Sequence, residues 1–249
     1  MKLAGRHAVV TGGGSGIGAA AARALAAEGA SVTLFGRRRA PLETVAASLP
    51  DARAIVADVT NAASVAAALT QAREERGPFD TLVNNAGAAV TQPFSRATFD
   101  AWRAMFEVNV DGAWICTQAM LADLRAAPAG RIVNVASTAG LKGYAYATAY
   151  TAAKHALVGL TRALAIELAE TSVTVNAVCP GFTDTPLAEA AISAIEARSG
   201  GDGRAALAAF NPQRRLVDPD EVAAAIVWLA LPESASVTGQ AIAIAGGEI

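Results

Sequence analysis

The stretch His7-Ala-Val-Val-Thr11-Gly12-Gly13-Gly14-Ser15-Gly16-Ile17-Gly18 decides how the chain is read. Its first five residues are a short apolar run that stops at glycines, the pattern of a buried strand. An alanine-rich segment follows to about Gly29 and predicts a helix. Between the two, glycines let the backbone approach a ligand closely, and the first helical turn offers free N–H groups to an anion. The loop is therefore either a diphosphate site or a flexible turn; its place between a first strand and a helix favours the site. The spacing is not G-x-G-x-x-G. It fits T-G-x-x-x-G-x-G on Thr11, Gly12, Gly16 and Gly18, with Gly14, Ser15 and Ile17 inside the loop.

Strand-like and helical patterns alternate from there on. Strands are expected at Ser31–Phe35, Arg53–Ala57, Phe79–Val83, Arg131–Val135, Val173–Val178 and Ala241–Ala245. Helical patterns run from about Asn61 to Arg76, Thr98 to Leu124, ahead of Tyr150 to Ala169, and Asp220 to Leu231. Such alternation means an α/β fold: a doubly wound, parallel, seven-stranded sheet with helices on both faces. The whole chain, 1–249, is read as one dinucleotide-binding domain. The segment 182–217, irregular and helical in parts, is read as a lid over the site, because ligands bind outside the carboxyl ends of such strands.

The second strand ends in Gly36-Arg37-Arg38-Arg39. An acidic residue here would bind a ribose 2′-hydroxyl, whereas arginine suits a 2′-phosphate. Arg37 and Arg38 thus favour NADP(H) over NAD(H), the alternative being a solvated basic turn. Asp58, followed by Val59, can accept from an adenine amino group or cap the next helix. Asn84-Asn85-Ala86-Gly87 closes the fourth strand as a cofactor wall or a plain turn. Asn109-Val110-Asp111-Gly112 lies inside a helical pattern where Asn and Gly are unfavourable, so a kink or bulge is expected.

Ser137 through Lys154 carries the chemistry. Tyr150 and Lys154, four residues apart, share one helical face, with Cβ atoms roughly 5–6 Å apart. An ammonium about 6 Å from a phenol, at an effective dielectric near 20, favours the phenolate by about 2.8 kcal/mol. That is enough to draw a tyrosine pKa of about 10 toward neutrality, where general acid–base catalysis works best. Ser137 lies just upstream and can turn its hydroxyl to the phenol. Tyr144 and Tyr146 either line a substrate cleft or pack.

Composition narrows the field. A net charge of −2 gives no electrostatic case for nucleic acid. No apolar run reaches the ~18 residues of a membrane span. Two distant cysteines, Cys116 and Cys179, suit free thiols in a reducing cytoplasm. His7 and His155 are the only histidines, so neither a metal cluster nor a Ser-His-Asp hydrolase is expected. Cys179 reads as a small apolar filler rather than a nucleophile.

Taken together, Thr11-Gly12-x-x-x-Gly16-x-Gly18, Asp58-Val59, Asn84-Asn85-Ala86-Gly87, Asn109, Ser137, Tyr150-x-x-x-Lys154 and Pro180-Gly181 resemble the short-chain dehydrogenase/reductase family over nearly the whole chain. The length fits its shorter branch, not the longer epimerases and dehydratases. The resemblance implies that Tyr150 exchanges a proton with the carbonyl or alcohol oxygen and that Ser137 orients that oxygen. It implies that Lys154 acidifies the phenol and holds the nicotinamide ribose, and that Asn109 holds a water linking Lys154 to solvent. Gly12, Ser15, Ile17 and Gly18 match the diphosphate loop; Asp58 and Val59 the adenine contacts; Asn85, Ala86 and Gly87 the wall after the fourth strand. Pro180, Gly181, Thr183 and Thr185 match the segment gripping the nicotinamide amide. Some NADP-preferring members carry a basic residue where this chain has Ser15, so cofactor choice rests on Arg37 and Arg38.

The run Val175 to Leu187 is similar to members acting on β-keto thioesters. The substrate implied is a small ketone or alcohol, foremost a 3-oxoacyl thioester on CoA or a carrier protein. A cyclic, aromatic or sugar alcohol is the alternative, and a non-catalytic nicotinamide sensor a more distant one. Arg198, Arg204, Arg214 and Arg215 either meet phosphates of a thioester arm or are ordinary surface charges. A homotetramer is implied, and the alanine-rich helices around 98–124 and 148–169 offer flat faces for pairing.

Overall fold

All seven expected strands form, and they join one parallel sheet. The computed structural model describes residues 1–249, with the side chains of residues 198 and 199 outside that description. The strands are β1 (His7–Thr11), β2 (Ser31–Gly36), β3 (Ala52–Val56), β4 (Thr81–Asn84), β5 (Arg131–Val135), β6 (Thr174–Pro180) and β7 (Ala241–Ile244). Their order across the sheet is β3-β2-β1-β4-β5-β6-β7. The order reverses between β1 and β4, and crevices for ligands open at such switch points. Parallel strands need crossovers, and these are mostly helices: α1 (Gly16–Ala27), α2 (Arg39–Ala47), α3 (Ala62–Arg76), α4 (Phe99–Phe106), α5 (Gly112–Ala126), α6 (Thr148–Glu167), α7 (Pro186–Ser199), α8 (Gly203–Ala208) and α9 (Pro219–Ala230).

The central strands are apolar on both sides because both faces are covered. One face packs Val10, Leu34, Val83 and Val178 against Leu25 of α1, Leu42 of α2 and Ile226 of α9. The other packs Val9, Phe35, Leu82 and Ile132 against Leu69 of α3 and Met120 of α5. Alanine on α1 (Ala19–Ala22, all buried) lets that helix lie close to the sheet.

Two differences from the sequence reading have local causes. The long helix expected over 98–124 is interrupted: Glu107–Asp111 form a π-helical turn between α4 and α5. The bulge falls on Asn109, where a kink was expected, and the Asn109 amide donates to the Met105 carbonyl one turn back and to the Ala88 carbonyl in the loop after β4. The segment 182–217 is more regular than its sequence suggests. Thr185 caps α7 with its hydroxyl, Pro186 opens that helix, and Gly200 ends it in the left-handed region.

Candidate active site

The functional groups gather at the carboxyl ends of β1, β4, β5 and β6. After β1 the chain turns through Gly12, at φ +66°, into α1. A Cβ at Gly12 would lie 2.8 Å from Asn85 Nδ2, and one at Gly18 would lie 2.4 Å from the Gly12 carbonyl oxygen. Only glycine fits either place. Ser15 is the N-cap of α1 but makes no side-chain cap, so the hydroxyl and the first N–H groups of the helix stay available. A Cβ at Gly16 would come within 3.0 Å of Thr185 Cγ2, so the glycine loop and the segment after β6 face each other across a narrow gap. This cradle fits a dinucleotide diphosphate by the chemistry of its donors.

Asn85 braces the cradle. Its Nδ2 donates to the Thr11 and Gly12 carbonyls at 2.9 and 3.3 Å. The Thr11 hydroxyl accepts from the Asn85 and Ala86 N–H groups, both at 2.9 Å. Asn84, buried beneath, donates to Thr117 and Asn134, and Asn134 in turn donates to Thr161. This polar chain ties β4, β5, α5 and α6 together under the site, and the sequence reading missed it.

Arg37 and Arg38 are exposed at the end of β2. Gly14 packs against Pro41 and Leu42, which brings the β2 end beside the glycine loop. Asp58 stands past β3. Its Oδ1 accepts from the Thr60 N–H and hydroxyl at 3.0 and 2.8 Å, which holds the carboxyl below its ordinary pKa. The cap of α3 is Asn61, which accepts from Ser64 N–H, so Asp58 is not the capping residue. Val59 is buried against Gly112.

Ser137 follows β5 in extended conformation. It opens the 3-10 turn Thr138–Gly140, and its Oγ accepts from Ala139 N–H at 3.1 Å. Gly140 permits that turn to press on α6; a Cβ there would sit 2.8 Å from the Lys154 carbonyl oxygen. The contact delivers Ser137 to Tyr150, whose phenol lies within the influence of the Ser137 hydroxyl. Lys154, one helical turn on, places Nζ 5.6 Å from the Tyr150 ring centroid and donates to the Val135 carbonyl at 2.9 Å. Asn109 Nδ2 donates to Ala88 and Met105 carbonyls at 2.9 and 3.0 Å. Its Oδ1 is buried without a hydrogen-bond partner, next to Gly87, and a Cβ on that glycine would lie 2.7 Å from Oδ1 and 3.6 Å from Lys154 Nζ.

The electrostatics correct one expectation. The phenol of Tyr150 is not drawn down by Lys154. Burial raises it, and the nearby Ser137 hydroxyl offsets only part of that rise. Burial also lowers Lys154, to about 8. Desolvation outweighs pairwise attraction here because Lys154 is buried and Tyr150 is partly withdrawn from water beside it. At neutral pH the phenol is therefore protonated and the lysine mostly cationic.

The lysine has a measurable consequence for stability. Its folded pKa lies below the unfolded value, so the unfolded state binds more protons between about pH 8 and 10.5, and stability rises with pH in that window. The shift is worth on the order of 3 kcal/mol, less about 1 for the hydrogen bond to Val135. Lys154→Met is expected to unfold about 2 kcal/mol later than the parent at pH 7 in urea. The advantage should shrink above pH 8; a constant difference across pH would contradict it.

The remaining predicted residues fall around this centre. Pro180 ends β6, and Thr183 donates to the Gly181 carbonyl at 3.0 Å. Thr185 donates to the Thr183 carbonyl at 3.2 Å. Tyr144 is half-buried, with its hydroxyl 2.6 Å from Thr138 Oγ1. Tyr146 is exposed at φ +66°, its carbonyl accepting from Gln92 N–H at 2.7 Å. Of the arginines after β6, Arg204 pairs with Asp184 and Glu189, and Arg215 with Glu221. Among the described residues Arg214 reaches only the Ala209 carbonyl, at 3.5 Å, and the side chain of Arg198 lies outside them. Cys179 is fully buried, and burial pushes its thiol up to about 11, as suits a filler. A separate cleft of about 610 Å³ opens at the amino ends of the strands, but its Arg6 and Arg76 are paired with Asp80 and Asp51.

Cradle, switch point and the Ser137–Tyr150–Lys154 cluster define a nucleotide-dependent oxidoreductase of the short-chain type, and comparison with known proteins agrees. The sequence model of the short chain dehydrogenases matches residues 6–196. The chain belongs to that family. It is 42% identical to cis-4-hydroxycyclohexanecarboxylate dehydrogenase of Sinomonas cyclohexanicum, over 98% of this chain and 97% of that one. It is 36% identical to the 3-oxoacyl-(acyl-carrier-protein) reductase of Vibrio harveyi, over 99% and 98%. A crystal structure of a point variant of actinorhodin polyketide ketoreductase with NADPH superposes with a TM-score of 0.93, at 36% identity, over 98% and 97% of the two chains.

Proposed function

We propose that this enzyme reduces a ketone to a secondary alcohol with NADPH, and runs the reverse with NADP+, its foremost substrate a 3-oxoacyl thioester. The observation that carries the reaction is the convergence of Ser137 and Tyr150 beside a buried lysine whose Nζ lies 5.6 Å from the phenol ring. The thioester is supported by the likeness to a carrier-protein reductase and a polyketide ketoreductase. A cyclic alcohol is the second reading, favoured by the likeness to a hydroxycyclohexanecarboxylate dehydrogenase. Ion pairing of Arg204 and Arg215 weakens the idea that they meet the phosphates of a thioester arm.

A bound nicotinamide supplies or accepts the hydride. The protein's own residues do the rest. Gly12, Gly14, Ser15, Gly16, Ile17 and Gly18 hold the diphosphate, and Asp58 and Val59 the adenine. Ala86 and Gly87 line the ribose side, while Pro180, Gly181, Thr183 and Thr185 hold the amide end. Ser137 donates a hydrogen bond to the carbonyl oxygen, and Tyr150 gives that oxygen its proton as negative charge develops. Lys154 remains cationic beside the phenol and supports the phenolate left behind. The unpartnered Asn109 Oδ1 accepts from a water that reloads Lys154 from solvent.

A raised phenol is stocked with its proton at neutral pH, which suits reduction; alcohol oxidation needs the phenolate and should speed up as pH rises. The segment 182–217 serves as the lid. Two free buried thiols suit a cytoplasmic setting, and exposed Trp114 on α5, Ile166 on α6 and Trp228 on α9 suit assembly as a homotetramer. The deciding experiment is a panel of acyl thioesters, cyclic ketones and sugars assayed at 340 nm with NADPH and with NADH. Turnover of 3-oxoacyl thioesters at least about tenfold above cyclic ketones supports the first reading; the reverse order supports the second.

A further inference from the structure

We propose that Glu248 is a positioning residue for the substrate: it fixes Tyr144 as the inner wall of the cleft beside Ser137 and so helps to set which ketones are accepted. The proposal rests on the reading of Ser137 and Tyr150 as the reacting pair.

The Glu248 side chain is 2% exposed, far from the solvated setting usual for glutamate. Its Oε1 accepts from the Tyr144 hydroxyl and from Lys142 Nζ, the latter at 3.0 Å. Because the phenol gives its proton to Glu248, the Thr138 hydroxyl is the donor in its 2.6 Å contact with Tyr144. A chain thus runs from Thr138, the neighbour of Ser137, through Tyr144 to Glu248 and back to Lys142. Lys142 Nζ also lies 5.1 Å from the Tyr144 ring centroid. That ring packs at 6.0 Å on Phe182 and on Phe210, both in the segment 182–217.

The backbone after β7 is shaped for this contact. Gly246 and Gly247 take φ +59° and +89°, and a Cβ at Gly246 would overlap the Asn211 side chain. The turn brings Glu248 under the lid against Gly181, where a Cβ would lie 3.0 Å from Oε2. Oε2 itself is buried with no hydrogen-bond partner. Burying a carboxylate with one oxygen unpaired costs free energy, so its stability contribution does not account for it. What it does achieve is to join three segments, 138–144, 181–211 and 246–248, at the cleft.

The test compares Glu248→Gln, Glu248→Ala, Tyr144→Phe and the Glu248→Ala/Tyr144→Phe double variant. Readouts are KM and kcat for one compact and one bulky ketone, NADPH affinity by fluorescence, and amide exchange across 182–217. Glu248→Ala is expected to raise KM about tenfold, change kcat less than about threefold, and shift the kcat/KM ratio between the two ketones about fivefold or more. NADPH affinity should stay within about twofold, and lid amides should exchange faster. Glu248→Gln, which keeps shape and an acceptor, should fall between, and it carries the test if the alanine variant does not fold. The double variant should be no worse than the poorer single one. Unchanged KM, selectivity and lid exchange in Glu248→Ala, or fully additive effects in the double variant, would overturn the proposal. If the parent enzyme turns over no ketone, the proposed reaction fails instead, while lid exchange still reports on Glu248.

Discussion

Tyr150→Phe is expected to lower kcat by about a thousandfold while NADPH affinity moves by less than about threefold. The substitution deletes one oxygen and leaves the ring that packs beside Lys154 Nζ, so the cofactor groove keeps its shape. The loss should be largest in the chemical step, because a placed proton donor matters only as the alkoxide forms. The pH profile gives a second check. Burial raises the Tyr150 phenol, so reduction by the parent enzyme should be flat through neutrality and decline only as that group ionises, while oxidation climbs with pH. A Tyr150→Phe variant that keeps full rate, or that loses NADPH binding as heavily as turnover, would remove the phenol from the reaction.

The second large effect concerns cofactor choice. Replacing Arg37 and Arg38 together by alanine is expected to raise KM for NADPH about a hundredfold and leave KM for NADH within about threefold. A hydrogen bond to a charged group is worth about 1.5–3 kcal/mol, so losing one to a 2′-phosphate costs about tenfold or more and losing two reaches about a hundredfold. Both side chains are exposed and, among the described residues, neither forms an ion pair with a carboxylate, whereas Arg39 is engaged with Glu43. Free guanidinium groups at the end of β2 are what a 2′-phosphate would use. Steady-state kinetics with both cofactors settles it: equal losses for NADH and NADPH would mean that the arginines serve the loop rather than the phosphate.

Much of the fold was legible because local signals and tertiary demands agree. β1 and β5 occupy the residues expected, since apolar runs bounded by glycine or turn residues are buried on both faces whatever their neighbours. β3 and β4 shift by one or two residues, as strand ends depend on the partner strand's register. The bulge at Asn109 was signalled by Asn and Gly inside a helical pattern, although its π-helical form was not. The polar chain of Asn84, Asn134 and Thr161 was hidden because each residue alone reads as an ordinary strand or helix residue. Lys142 and Glu248 were passed over for a related reason. A charge beside a glycine reads as solvent-facing, and a separation of 106 positions conceals that they meet.

By itself the sequence determined the alternation of strands and helices, the glycine cradle and the spacing of Tyr150 and Lys154, because each depends on neighbours within a few residues and on periods of two and 3.6. The tertiary structure alone decided the sign of the phenol's shift, the joining of Ser137 to Tyr150 across the turn at Gly140, and the burial of Glu248. Those outcomes turn on how much water is excluded and which distant segments touch. Desolvation and long-range contact are properties of the packed chain, with no counterpart in the order of its residues.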